Sequence, residues 1–267
     1  MSVRVHDSIT KLDAEDEGSV AIAASHGGVY SGYCAAKARL RGVVFCDAGV
    51  GLERAGIGSL AYLDALGMPA ATVDFRSARI GDGADLARRG TISFCNASAR
   101  ERGCAPGDAA RACAEKMLGA AAYRGDAPAY AEARTLLLER PRAPNVWGLD
   151  SVSLVRSGDA GAIVLTGSHG GLLGGDPASA LRVDAIAAAY NDAGVGCDDA
   201  GISRLPALQE RGIAAVTVAA DSARIGDAKS AWETGRISHM NPLAQAYGAR
   251  AGMTLPAFVE WVLRAIG

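Results

Sequence analysis

What the chain lacks narrows its function first. Its 267 residues contain no CxxC pair, no HExxH and no Cys/His cluster at zinc spacing, so no standard zinc site is signalled. A Walker A loop and a GxGxxG turn are both missing, which leaves a nucleotide-phosphate loop unsupported. Without GxSxG, the serine elbow of the α/β-hydrolases is disfavoured. Charge of one sign is lacking too. The 27 basic and 29 acidic residues are interspersed, net −2, with no basic stripe for nucleic acid or an anionic membrane. The longest apolar stretches are short and broken by Gly, Asp or Arg, and the first residues carry charge too early for a signal peptide. The expectation is a soluble, cytoplasmic protein with a small-molecule partner, no nucleic acid and no membrane; a homo-oligomer stays open. Aromatics are only 5%, so the core falls to Ala, Val, Leu and Ile, small enough for helices to lie close to a sheet. The six cysteines, Cys34, Cys46, Cys95, Cys104, Cys113 and Cys197, form no framework and read as buried reduced thiols.

What is present is a repeat. Ser25-His26-Gly27-Gly28 recurs as Ser168-His169-Gly170-Gly171 at an offset of 143. Asp47 to Gly51 matches Asp192 to Gly196, and Ser77 to Asp82 (SARIGD) returns unchanged as Ser222 to Asp227, both at 145. Asp7-Ser8 pairs with Asp150-Ser151, and Ile92-Ser93 with Asn96 pairs with Ile237-Ser238 and Asn241. The predicted fold is α/β: two tandem repeats of a βαβαβ-type unit with a parallel sheet, forming an internally duplicated, pseudo-twofold body. The repeats span residues 1–122 and 145–267. Residues 123–144 are expected to be a helical connector, with a helix over Pro128 to Glu139 that Arg140 to Pro144 stops.

Within each repeat three short apolar runs end at the three motifs. These are Val20 to Ala24, Val43 to Cys46 and Ala70 to Val73, then Ala162 to Thr166, Ala185 to Tyr190 and Ala214 to Ala219. Amphipathic stretches such as Arg54 to Leu66 and Asp199 to Arg211 separate them, the pattern of buried parallel strands with crossover helices. All motifs then fall at the carboxyl ends of adjacent strands, the edge where open α/β sheets bind ligands.

Each motif has a chemical and a structural reading. Gly27, Gly28, Gly170 and Gly171 can cradle an anion with their N–H groups or simply make a tight turn. His26 and His169 can move a proton near neutrality or satisfy backbone groups. Asp47 and Asp192 can orient an imidazole, act as bases, or cap a helix. Ser77, Arg79 and Asp82, with Ser222, Arg224 and Asp227, offer a clamp for a carboxylate or phosphate, or an internal ion pair. Asn96 and Asn241 can orient a ligand or cap the helix that follows. Ser25 beside His26 is not expected to form a nucleophile and base, because neighbours on a strand face opposite ways.

The outline is similar to the two-lobed aspartate and glutamate racemases, which place one cysteine from each lobe beside a small carboxylate. Here Cys46 and Cys95 stand opposite Asn191 and Met240, so that chemistry is not carried over. The functional expectation is an enzyme, a hydrolase or lyase, using His/Asp acid–base chemistry on a small carboxylate or carbonyl substrate. His26 or His169 would transfer the proton, Asp47 or Asp192 would partner it, and Arg79 or Arg224 would hold the anion. The alternatives are a metabolite-binding or regulatory module without turnover, and a divalent-metal-dependent hydrolase using His and Asp, or Asp47 and Asp82, as ligands. No other cofactor is expected.

Overall fold

The computed structural model describes residues 2–140 and 144–267. Two mostly parallel sheets carry the chain. The first is built from β1 (Val3–His6), β2 (Val20–His26), β3 (Gly42–Cys46), β4 (Ala70–Val73) and β5 (Ile92–Cys95), side by side in that order. The second holds β6 (Arg134–Leu138), β7 (Val146–Leu149), β8 (Ile163–His169), β9 (Ala187–Asn191), β10 (Ala214–Val218) and β11 (Ile237–Met240), again in chain order. β1 to β4 pair parallel, as do β7 to β10, while β5 and β11 add antiparallel edges.

The central strands are apolar on both faces because both faces are covered. In the first sheet, Ile22, Val44 and Ala71 pack with Leu86 of α3 (Gly83–Arg89) and with Cys113 and Met117 of α5 (Ala110–Met117). The intervening Ala21, Ala23, Val43 and Phe45 face Ala35 and Ala36 of α1 (Val29–Lys37) and Leu63 of α2 (Gly58–Asp64). Between them, α4 (Ala97–Arg100) follows β5. The second sheet repeats the three layers. α6 (Arg204–Glu210) lies on one face. On the other face are α7 (Ala228–Thr234), α8 (Pro242–Ala246) and α9 (Leu255–Ile266), the last of which buries Phe258, Val259 and Val262. Each such side chain contributes about 1.5–3 kcal/mol on leaving water.

The expected connector helix is absent. Within Pro128 to Glu139 the chain forms β6, antiparallel to β7, and its proposed stop lies partly at residues 141–143, outside the described residues. Local propensity yields here to an open sheet edge. Arg134 fixes the strand by stacking 4.0 Å from the Trp147 ring and bonding both Asp159 carboxylate oxygens at 2.9 and 2.6 Å.

The two sheets meet through the Asp-Ala-Gly-Val-Gly loops, where an ideal Cβ on Gly49 would lie 3.1 Å from the Gly194 Cα. Hydrogen bonds cross the seam reciprocally: Leu52 N–H donates to Ala220 O at 2.8 Å and Cys197 N–H to Phe75 O at 2.9 Å. Ala48, Val50, Ala193 and Val195 all have positive φ, a costly conformation for a non-glycine residue. Strain is thus concentrated where the halves touch. Among the described residues no helix is long and apolar enough to cross a membrane.

Candidate functional site

β2 and β8 both slip register just before their last residue. Ile22 opposes Val44 but His26 already opposes Cys46, and Leu165 opposes Ala189 while His169 opposes Asn191. Such a bulge re-aims side chains. It turns Ser25 together with His26, and Ser168 together with His169, toward one cavity of about 210 Å³ walled by both halves. Ser25 and His26 thus line the same cavity although they are neighbours on a strand, and they are not hydrogen-bonded to each other as nucleophile and base. Their hydrogen bonds still go elsewhere: Ser25 Oγ accepts from Ile9 N–H at 2.9 Å, and Ser168 Oγ from Val152 N–H at 2.8 Å. Ser8 and Ser151, which cap the short 3-10 turns at Ile9–Lys11 and Val152–Leu154, complete a matched polar wall.

The imidazoles are oriented from behind. His26 Nδ1 accepts the Gly28 N–H and His169 Nδ1 the Gly171 N–H, each at 3.1 Å. An accepting Nδ1 leaves the proton of the neutral ring on Nε2. Among the described residues neither Nε2 has a hydrogen-bond partner, and both rings line the cavity. Burial holds His26 down to about 4. His169 is held well below the usual imidazole range by burial, then by the Arg204 and His26 charges. Both rings are therefore neutral N–H donors at pH 7.

The glycines after the histidines hold the packing and do not cradle an anion. Gly27 N–H donates to Cys46 O and Gly170 N–H to Asn191 O, both at 2.8 Å, and those of Gly28 and Gly171 go to the imidazoles. A Cβ on Gly27 would fall 2.8 Å from Gly56 O, and one on Gly170 2.4 Å from Gly201 O.

The remaining motif residues lie outside the cavity wall. Asp47 Oδ1 accepts the N–H groups of Gly49 and Phe75, and Asp192 Oδ1 those of Gly194 and Ala220, so these carboxylates fold their loops and do not touch the imidazoles. Burial raises the Asp47 carboxyl, opposed by those bonds. Asp82 and Asp227 cap α3 and α7 while their other oxygens take the guanidinium groups of Arg79 and Arg224. Those arginines also reach across the seam, Arg79 to Asp198 at 3.3 Å and Arg224 to Glu53 at 2.9 Å. Ser77 and Ser222 bond the backbone at Asp74, Thr91, Ala219 and Arg236. Asn96 and Asn241 cap α4 and α8 and tie them to Met68, Ala70, Ile213 and Ala215. The SARIGD segment contributes indirectly. Gly226 packs against His26 of the other half and Gly81 against His169, with 3.2 and 3.5 Å from an ideal Cβ to Cε1, both glycines at positive φ.

Three charged groups in the wall carry no repeated motif: Arg204, Glu132 and the exposed Arg182. Arg204, at the start of α6, is 1% exposed and has no carboxylate within ion-pairing distance among the described residues. Its Nε donates to Gly171 O at 2.9 Å, and Nη1 donates to Ser179 O at 2.7 Å and to Ala180 O. The Tyr190 ring centroid lies 5.1 Å from the guanidinium. Nη2 finds no carbonyl or carboxylate acceptor among the described residues; burial lowers the Arg204 pKa from its ordinary value, while the Tyr190 charge and a hydrogen bond with Tyr190 oppose this. An unpaired buried cation is costly unless an anion joins it. Glu132 enters from the segment before β6 as the one carboxylate of the wall among the described residues. Burial pushes it up to about 7; the Asp150 charge adds to this, while Tyr30 and Ser151 hydrogen bonds oppose it. Arg204 could have been suspected from the repeat, since its counterpart is Ser59; Glu132, outside both repeats, gave no sequence signal.

Among the described residues no group of three or more His, Cys, Asp or Glu side chains is arranged to hold a metal ion. No protein-family model matches the chain, and no curated protein or solved structure is significantly similar to it.

Proposed function

We propose that the chain is an internally duplicated, pseudo-twofold enzyme of the cytoplasm whose halves share one site, the cavity between His26 and His169, and that it performs acid–base chemistry on a small carboxylate that carries a carbonyl, as a lyase or hydrolase. The observation that carries this reading is the buried Arg204, which lines the cavity and has no carboxylate counter-ion among the described residues. It takes the anchoring role that Arg79 and Arg224 were expected to fill. The paired Nε2–H groups supply hydrogen bonds to developing negative charge, as neutral imidazoles do at other carbonyl-polarising sites. At about 210 Å³ the cavity is smaller than the roughly 300–1,000 Å³ of drug-sized sites, which suits a small metabolite. The reciprocal seam contacts support two like halves arranged as in a closed dimer.

Thermal unfolding against a panel of small carboxylates, amides and phosphates tests the reading, since a ligand of the folded state raises the transition. A carboxylate is expected to stabilise the wild type and to lose that effect in Arg204→Lys, which keeps the charge but not the planar fork. Stabilisation that survives Arg204→Lys and disappears in Arg79→Ala would return the anion to the SARIGD segment and overturn the proposal.

A further inference from the structure

We infer that the ligand of this cavity is a small 2-oxo acid and that Glu132 is the catalytic residue that moves its proton. The inference rests on the cavity being the site proposed above. Three distinct chemistries converge on one wall. Nη2 of Arg204 offers two N–H donors on a permanent charge, which suits a carboxylate. The two imidazole Nε2–H groups, one from each half, suit one oxygen that accepts twice, a ketone oxygen. A carboxyl group on the same wall then has a C–H bond next to that ketone within its province. A simple monocarboxylate would leave the imidazoles unused; a neutral ketone would leave Arg204 unpaired.

Glu132 is singled out as the proton carrier by elimination. The imidazoles are buried and neutral, with Nδ1 already accepting a backbone N–H, so neither presents a lone pair to the cavity. Asp47 and Asp192 are consumed by loop backbone. The groups that face Glu132 are Tyr30 and Cys34 of α1, Tyr130 two residues before it, and Asp150 and Ser151 after β7. Burial raises both Tyr30 and Cys34, the latter to about 11, so neither competes for the proton at neutral pH.

The step balances within the site. The Glu132 carboxylate takes a proton from the carbon beside the ketone. The C–H electron pair becomes the new C=C bond, and the former C=O π pair settles on oxygen, where the two Nε2–H groups hold it. Return of the proton from Glu132 regenerates the 2-oxo acid, and no further reactant is needed. Proton exchange is thus the least that the site performs.

The experiment is exchange of the C3 protons of pyruvate and 2-oxobutyrate in heavy water, followed by proton NMR, with pyruvate-induced thermal stabilisation measured in parallel. The wild type is expected to exchange them faster than buffer, with a rate that rises with pH through about 7 as Glu132 ionises. E132Q should reduce exchange by about 100-fold or more while keeping the stabilisation by pyruvate, and E132D should restore part of the rate. Unchanged exchange in E132Q, or stabilisation by pyruvate with no exchange in the wild type, would overturn the role of Glu132 while leaving the anion site standing. Should pyruvate and 2-oxobutyrate neither stabilise nor exchange, while another carboxylate stabilises through Arg204, the 2-oxo acid assignment falls alone. No stabilisation by any carboxylate would bring down the site itself.

Discussion

Ser59 in the first half and Arg204 in the second occupy the same place after matching Asp-Ala-Gly-Val-Gly loops, and their surroundings differ accordingly. Beside Ser59 the chain after the first Ser-His-Gly-Gly segment forms α1, whose Gly32 sits so close that a Cβ there would lie 3.0 Å from the Ser59 Cβ. Ser59 Oγ is buried without a partner. Beside Arg204 the corresponding chain forms only a 3-10 turn, Pro177–Ser179, and its carbonyls at Gly171, Ser179 and Ala180 wrap the guanidinium. One position therefore exchanges helix packing for a cation that holds a loop and faces the cavity. The halves share a framework and differ in the side chain that they place at the cavity.

The sharpest way to break this contrast is Arg204→Ser, which gives the second half the residue of the first. Three carbonyls lose their donor, and stability should fall by about 3–5 kcal/mol in denaturant unfolding. Ser59→Ala, by contrast, removes an unpartnered hydroxyl and should change little. Equal costs for the two substitutions would contradict this asymmetry.

The glycines that back the histidines come next. Gly81→Ala places a Cβ 2.2 Å from Leu172 O at positive φ, whereas Gly226→Ala meets only the His26 ring, 3.2 Å away. The first should cost about 2–4 kcal/mol and the second about 1–2. Equal losses would mean that positive φ alone sets the cost.

The imidazoles predict a pH dependence. His26 titrates near 4 when folded against 6.5 when exposed, so the unfolded state binds more protons between those values. Stability should be full above pH 6.5, fall by about 1–3 kcal/mol as pH drops to 4, and the fall should be smaller in His26→Asn. A flat profile over that window would contradict the burial of a neutral ring.

The smallest effect is expected at the repeated arginines. Arg79 and Arg224 side chains are 38% and 41% exposed in their cross-seam ion pairs, so Arg79→Ala and Arg224→Ala should each cost about 0.5–1 kcal/mol and leave ligand-induced stabilisation unchanged. Loss of that stabilisation would restore them as the clamp.

Much of the framework was legible because it is written in continuous apolar runs. Val20 to Ala24, Val43 to Cys46 and Ala70 to Val73 lie in β2, β3 and β4, and their partners contribute β8, β9 and β10. The edges were not. β5 and β11 are four residues each with only one or two buried positions, and β6 exists through pairing with β7, which no local pattern encodes. That the two histidines lie at equivalent strand ends was legible, since a repeated His is visible in one dimension. That the arginines and aspartates beside them lie outside the cavity wall was not, for a physical reason. An arginine three residues from an aspartate looks free in sequence but pairs locally once the aspartate caps a helix, as Asp82 and Asp227 do. Arg204 has no carboxylate within ion-pairing distance among the described residues, and it is the buried one of the two arginines in the cavity wall.

The central claim is that the cavity walled by both halves, and not the exposed SARIGD arginines, receives the anion. A crystal structure of the protein soaked with pyruvate tests it most directly. The ligand is expected between His26 and His169, its carboxylate on Arg204 Nη2 and its ketone oxygen on the two Nε2 atoms. Pyruvate bound at Arg79 or Arg224 with the cavity empty would contradict it.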